Sequence, residues 1–271
     1  MIITEKKPSG ELSLFTESFW QCDLAAGEEL IIFPDGTFNI LIFLSPGSIN
    51  NVIYDQGIYL SNFQTRIVRC KSKSRIFGIR LKAFSLPNIS KSVGLKIDQL
   101  AGITSLSIGS NSNRYFHQWL SKLIPFDEAL PFLQQLNYQL LQKDLLVHAS
   151  LRDKINFVLD RKGNVNIDEM SNTFGVSRQA LHKSFKKSLG ISPKQLSTIW
   201  RLNHYFSIYQ DTNSQLNSTY EVGFYDQAHG IKSFKQSFGH APKQFFNQHQ
   251  ENIQFIHDTI QNRFNNRYDP E

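Results

Sequence analysis

The sequence predicts a two-domain protein: a mainly β amino-terminal domain with a helical connector, then an all-α carboxy-terminal domain holding two helix-turn-helix units joined by a linker helix. Three observations predict it. Short β-branched and aromatic runs fill the first third, apolar residues take up helical spacing from about Pro87, and a twenty-residue block recurs towards the carboxy terminus. A chain of 271 residues with 40% hydrophobic content is long enough for two cores.

The β-rich region is read as residues 1–86. Its clearest piece is Leu30-Ile31-Ile32-Phe33, then Pro34-Asp35-Gly36, then Thr37 to Leu44. Proline presets φ and glycine tolerates the exit from a turn, so this stretch is expected to be a hairpin. Runs at Val52 to Leu60, Arg66 to Cys70 and Ile76 to Leu81 extend it to a small antiparallel sandwich or barrel. Trp20, Phe33, Phe38 and Phe43 could line a ligand pocket there, although aromatics in a β domain are usually core. Residues 87–149 read as a helical connector, with Tyr115, Trp119 and Leu123 at four-residue spacing and Leu130, Leu133, Leu136 and Leu140 following. That leucine stripe suits packing on its own domain, with a dimer contact as the alternative.

Residues 150–249 carry the duplication. Ser177 to Leu196 laid over Asp226 to Phe245, at an offset of 49, gives nine identities in twenty positions, among them Lys183/Lys232, Phe185/Phe234, Gly190/Gly239 and Pro193/Pro242. Two copies are too few for a solenoid and imply one supersecondary unit used twice. In the first copy Asn166, three residues before Glu169, resembles a capping box opening a helix through Phe174. Gly175 supplies the turn and Ser177 caps the next helix, whose Leu181 and Phe185 face inward. Gly190 ends that helix, and Pro193 starts a long one running through Trp200 to about Gln210. The second copy uses Gly223-Phe224 at its turn and Asp226 as N-cap, with Ile231, Phe234 and Phe238 expected inside.

The outward faces carry the chemistry. Arg178, Gln179, His182, Lys183 and Lys186 share one face of the first helix, and Gln227, Ala228, His229, Lys232 and Lys235 that of the second. Arginine, lysine, glutamine and histidine reach base edges and phosphates, which is what a helix in the major groove of double-stranded DNA needs. A basic helix face is more often merely solvated; the repetition of Lys183 at Lys232 tips the reading towards contact. Charge agrees: the chain is +6 overall, and residues 175–249 alone hold nine Lys and Arg against three Asp and Glu. Held side by side by the linker helix, the two units would read successive major-groove segments about 10 bp apart. Residues 250–271 form a tail with helical spacing at Ile253, Ile256 and Ile260.

These residues resemble the AraC/XylS family of bacterial transcription regulators. The resemblance rests on Val176-Ser177 through Leu181, Phe185-Lys186-Lys187, Gly190 and Pro193 in the first unit. In the second it rests on Gly223-Phe224-Tyr225-Asp226-Gln227 through Phe234-Lys235, Gly239 and Pro242. It implies two helix-turn-helix units on a linker helix, with base-reading positions falling on Gln179, His182, Lys183, Ala228, His229 and Lys232. Three departures stand out. Gly230 replaces a bulky apolar residue, Ser218-Thr219 replace an Ile-Ala pair, and Ala228 offers only apolar contact, for example to a thymine methyl. The expectation is a second unit less stable and less discriminating than the first. The amino-terminal region also resembles the domain that precedes such modules, through Phe19-Trp20, Phe33-Pro34-Asp35-Gly36 and Phe77-Gly78-Ile79-Arg80. This resemblance implies a cupin-like domain that senses a small-molecule effector or forms a homodimer; RNA polymerase is a further partner that a regulator implies.

Other classes fit less well. The first histidine is His117, so the strand-rich region offers no histidine ligands for the metal of a cupin-like enzyme. Hydrolase, zinc-protease, nucleotide-loop and dinucleotide-binding motifs are missing, so neither an enzyme nor a cofactor is expected. Cys22 and Cys70 are too far apart to read as a metal motif and suit a reducing cytoplasm. No apolar run has signal-peptide or membrane-span length, so the expectation is a soluble cytoplasmic protein. Two other binding readings remain: a DNA-binding regulator with no ligand sensing, and non-specific nucleic-acid binding.

Overall fold

The structure is a computed structural model. It describes all residues except 62, 101, 107–123, 142–147, 213–218, 220, 266–267 and 269–271. The chain divides into two compact units. The first comprises Met1–Ile32, Thr37–Asn62 and Arg66–Val147, and the second Phe33–Gly36, Phe63–Thr65 and His148–Glu271.

The first unit is a sandwich of two antiparallel sheets. Six strands run in the order β1 (Ile2–Lys6), β2 (Thr16–Leu24), β9 (Ser74–Lys82), β4 (Thr37–Phe43), β7 (Gly57–Ser61) and β10 (Ile103–Ser105). Four run in the order β3 (Glu29–Ile32), β8 (Arg66–Cys70), β5 (Gly47–Ile49) and β6 (Val52–Tyr54). Alternation puts Trp20, Cys22, Leu24, Leu41, Phe43 and Ile76 of the larger sheet into one core with Leu30, Ile32, Ile49, Val68 and Cys70 of the smaller. The indole of Trp20 lies flat across Gly78, where a Cβ would come within 1.9 Å of the ring, and its Nε1 donates to Asn39 Oδ1 at 3.2 Å. Only glycine leaves room for that ring.

The expected hairpin at Pro34-Asp35-Gly36 does not form. β3 pairs with β8, whereas β4 pairs with β7 and β9, so this turn carries the chain from one sheet to the other. Gly36 takes a left-handed φ of 79°, but strand partners are chosen by long-range burial, which a proline and a glycine cannot signal. A true two-residue hairpin lies at Asn50-Asn51, both at positive φ (50° and 67°), between β5 and β6. Of the four aromatics considered for a pocket, Trp20, Phe38 and Phe43 are buried core, and Phe33 belongs to the second unit, where its ring stacks on Phe206.

The second face of the larger sheet is also covered, and so strand β4 reads Thr-Phe-Asn-Ile-Leu-Ile-Phe with every residue buried. The covering elements include α1 (Leu12–Phe15), α2 (Leu86–Val93) and α3 (Phe126–Leu141). Phe126 stacks on Phe77, Asn137 donates to Thr16 Oγ1, and Ser85 Oγ donates to the Phe15 carbonyl. Among the described residues, the segment read as a connector thus supplies a strand and two helices to the first unit. Leu133, Leu136 and Leu140 are buried in that packing, while Leu130 is only partly covered. Tyr115, Trp119 and Leu123 lie outside the described residues.

The second unit is helical: α4 (Ala149–Asp160), α5 (Ile167–Thr173), α6 (Arg178–Leu189), α7 (Pro193–Thr212), α8 (Gln227–Phe238), α9 (Pro242–Gln248) and α10 (Gln250–Asn265). The tail is therefore a helix with Ile253, Ile256 and Ile260 buried. It is tied to the linker helix by Gln261 Nε2, which donates to Ser207 Oγ at 2.6 Å, and by His257 against Asp211 at 3.1 Å. Among the described residues, no helix is long and apolar enough to cross a membrane. Nor does any group of three His, Cys, Asp or Glu side chains there present a metal site.

Candidate nucleic-acid interface

Two short helices of equal length and near-identical construction form the candidate interface. In α6 the Ser177 Oγ accepts from Ala180 N–H at 3.1 Å, and Gly190, at φ 73°, closes the helix with its N–H on the Lys186 carbonyl. In α8 the Asp226 Oδ1 accepts from His229 N–H at 2.7 Å, and Gly239, at φ 82°, closes on the Lys235 carbonyl. Short polar caps satisfy amide groups that the first turn leaves open, and a left-handed glycine ends each helix without strain. Before α6, Asn166 Oδ1 accepts from both Asp168 and Glu169, as the capping reading expects, while Glu169 pairs with Arg161 at 2.8 Å.

The inward stripes match position for position: Leu181, Phe185 and Leu189 against Gly230, Phe234 and Phe238, all buried. This corrects the expectation for Ile231, which is only partly covered; the core position is Gly230, the counterpart of Leu181. The missing side chain is replaced from outside the helix. A Cβ on Gly230 would stand 3.3 Å from the Phe224 ring, which occupies that space. The Arg201 guanidinium covers Phe224 at 4.5 Å, and Tyr205 meets Phe224 and Phe234 edge-on or tilted at 6.0 and 5.7 Å. Burial depresses the Arg201 pKa and pushes the Tyr205 hydroxyl up to about 12. The linker helix α7 therefore holds the second helix-turn-helix by an aromatic cluster around Phe224, Phe234 and Phe238.

The outward residues fall where the spacing puts them. Arg178, Gln179, His182, Lys183 and Lys186 are exposed on α6, and Gln227, Ala228, His229, Lys232 and Lys235 on α8. They are not equally available. Arg178 is ion-paired with Asp168 of α5, and Lys186 Nζ donates to the Gly190 carbonyl at 3.2 Å, where a cation also suits the helix terminus. The His229 ring leans edge-on against Phe224 at 5.4 Å. Gln179, Lys183, Lys232 and Lys235 project into solvent and make no ion pair among the described residues. The arrangement is a pair of rigid, apolar-backed helices with uncompensated cations and a carboxamide outward, which suits anionic duplex edges. Tyr225, 93% exposed beside the second N-cap, was missed by sequence reasoning; the signal available was a turn one residue longer than the first.

A helix-turn-helix domain family matches residues 170–248. The lactose operon transcription activator of Staphylococcus xylosus is 27% identical over 146 residues, which cover 52% of this chain and 50% of that protein. The chain thus spans about half the length of the curated relative it matches. ToxT from Vibrio cholerae O395 is similar in structure with a TM-score of 0.47 and 14% identity, covering 83% of this chain and 95% of that one.

Proposed function

We propose that the chain is a sequence-specific DNA-binding transcription regulator of the AraC/XylS type, acting in the cytoplasm. Its two recognition helices, α6 and α8, enter successive major-groove segments of one duplex, so one protomer reads what a single-unit repressor reads as a dimer. Gln179, His182 and Lys183 read from the first helix. Gln227, Ala228, His229 and Lys232 face the second segment, with Arg178, Lys186 and Lys235 towards phosphates. The observation that carries this is the repeat of caps, core stripe and outward face at one offset, since packing alone requires no matching basic surfaces. Genome-wide binding followed by titration of recovered promoter duplexes against scrambled ones tests it. Equal affinity for both at fixed salt would reduce the protein to a phosphate binder.

The first unit modulates this activity by taking a small-molecule effector or by forming a homodimer, and contact with RNA polymerase follows at the promoter. What supports an effector is a cleft of about 430 Å³ beside β5, β6 and β8, lined by Gly47, Ser48, Ile53, Arg69 and Cys70. Thermal melts against a metabolite panel separate a sensor from a plain DNA binder, because a ligand held by the native state raises its melting point.

A further inference from the structure

Backbone hydrogen bonds align the two turns better than sequence identity does. After Gly175 (φ 61°) the Val176 N–H closes on the Ser171 carbonyl at 3.0 Å; after Gly223 (φ 74°) the Phe224 N–H closes on the Thr219 carbonyl at 3.2 Å. In the first unit the next residue is already the N-cap, Ser177. In the second, one additional residue stands between that closure and the N-cap Asp226, and it is Tyr225. The residue before it turns inward as the anchor of the aromatic cluster, so the extra residue is driven outward, with 93% of its surface exposed. It sits at the end of α8 where Gln227, Ala228 and His229 are exposed too.

The fold gains nothing from that side chain. A phenol in open water buries no apolar area, whereas Phe224 next to it is 5% exposed. Across the same helix end, Ala228 has no hydrogen-bonding atom in its side chain. A tyrosine brings a hydroxyl donor on a stiff arm with two rotatable bonds, a group used on DNA backbones for register and not for base choice. Resting on the DNA-binding reading, we propose that Tyr225 is a backbone contact of the second unit: its hydroxyl donates to a phosphate oxygen at the groove wall and fixes how α8 is seated.

The test is fluorescence anisotropy of the full chain on a recovered promoter duplex and on a scrambled one, across a salt series. It compares wild type with Tyr225→Phe, Tyr225→Ala and Lys235→Ala. A hydrogen bond to a charged group corresponds to about a tenfold loss for Tyr225→Phe. The loss should be the same on both duplexes, with an unchanged melting temperature. A neutral donor displaces no counterion, so the salt slope should stay at the wild-type value, whereas Lys235→Ala should lower it by about 1. Wild-type affinity for Tyr225→Phe and Tyr225→Ala overturns the proposal. So does a loss confined to the promoter duplex, which would make Tyr225 a base reader, or a salt slope that falls as it does for Lys235→Ala. Failure of the wild-type chain to prefer any promoter is a separate result, and removes the DNA-binding reading along with this contact.

Discussion

His204 links the stability of the second unit to acidity. It sits on α7 with its ring edge-on to Phe264 of α10 at 5.8 Å, and the Lys162 ammonium lies 5.6 Å from the same Phe264 ring. Burial first, and then the Lys162 charge, pull its pKa from the ordinary 6.5 down to about 4. The unfolded chain takes up the proton first, so this contribution is intact above pH 6.5 and is lost as the pH falls towards 4. Each pKa unit is worth about 1.4 kcal/mol, which makes the loss about 2 kcal/mol at pH 5; this is an upper figure, because solvent still reaches part of the ring. His204→Gln removes the titration. Urea unfolding followed at 222 nm, where the helices of the second unit dominate, should be run at pH 7.5 and 5.0 on both proteins. Other groups titrate alike in the two, so the fall in stability should be about 2 kcal/mol smaller in His204→Gln, whatever the variant costs at pH 7.5. Equal falls in both proteins would refute the placement of a neutral His204 against Phe264.

Lys183→Ala and Gln179→Ala should each weaken promoter binding by about 1 to 3 kcal/mol with the thermal melt unchanged, because both side chains are exposed on α6; unaltered affinity in both would remove α6 from the readout. His229→Ala should cost less, its ring being turned against Phe224, and a larger loss than at Lys183 would reverse the ranking of the two units. Asp226→Ala should lower stability by about 1 kcal/mol through loss of the 2.7 Å cap to His229 N–H, measured by denaturant midpoint, with Asp226→Asn restoring most of it. Cys22 and Cys70 are buried in the sandwich core, and burial pushes the Cys22 thiol up to about 12. Alkylation at pH 8 should therefore be negligible in the native protein and complete in urea; labelling of the native chain would mean that the sheets open.

Much of the candidate interface is encoded locally, which is why it is legible in the sequence. Ser177, Asp226, Gly190 and Gly239 act within one turn of backbone, so the residue type names the role. Outward positions such as Gln179, Lys183 and Lys232 follow from helical period alone, because a helix with one buried stripe leaves no choice for the opposite face. The tertiary structure decided what depends on partners distant in the chain. It placed β3 and β4 in different sheets across the turn at Pro34-Asp35-Gly36, and folded the connector segment onto the larger sheet of the first unit. It also shifted the second core stripe from Ile231 to Gly230. A glycine in a core position is readable only once the ring that fills it is known, and Phe224 reaches that space through a turn held by Arg201 and Tyr205 from another helix. Caps and faces are properties of a few consecutive residues; packing is a property of surfaces that meet only after the chain has folded.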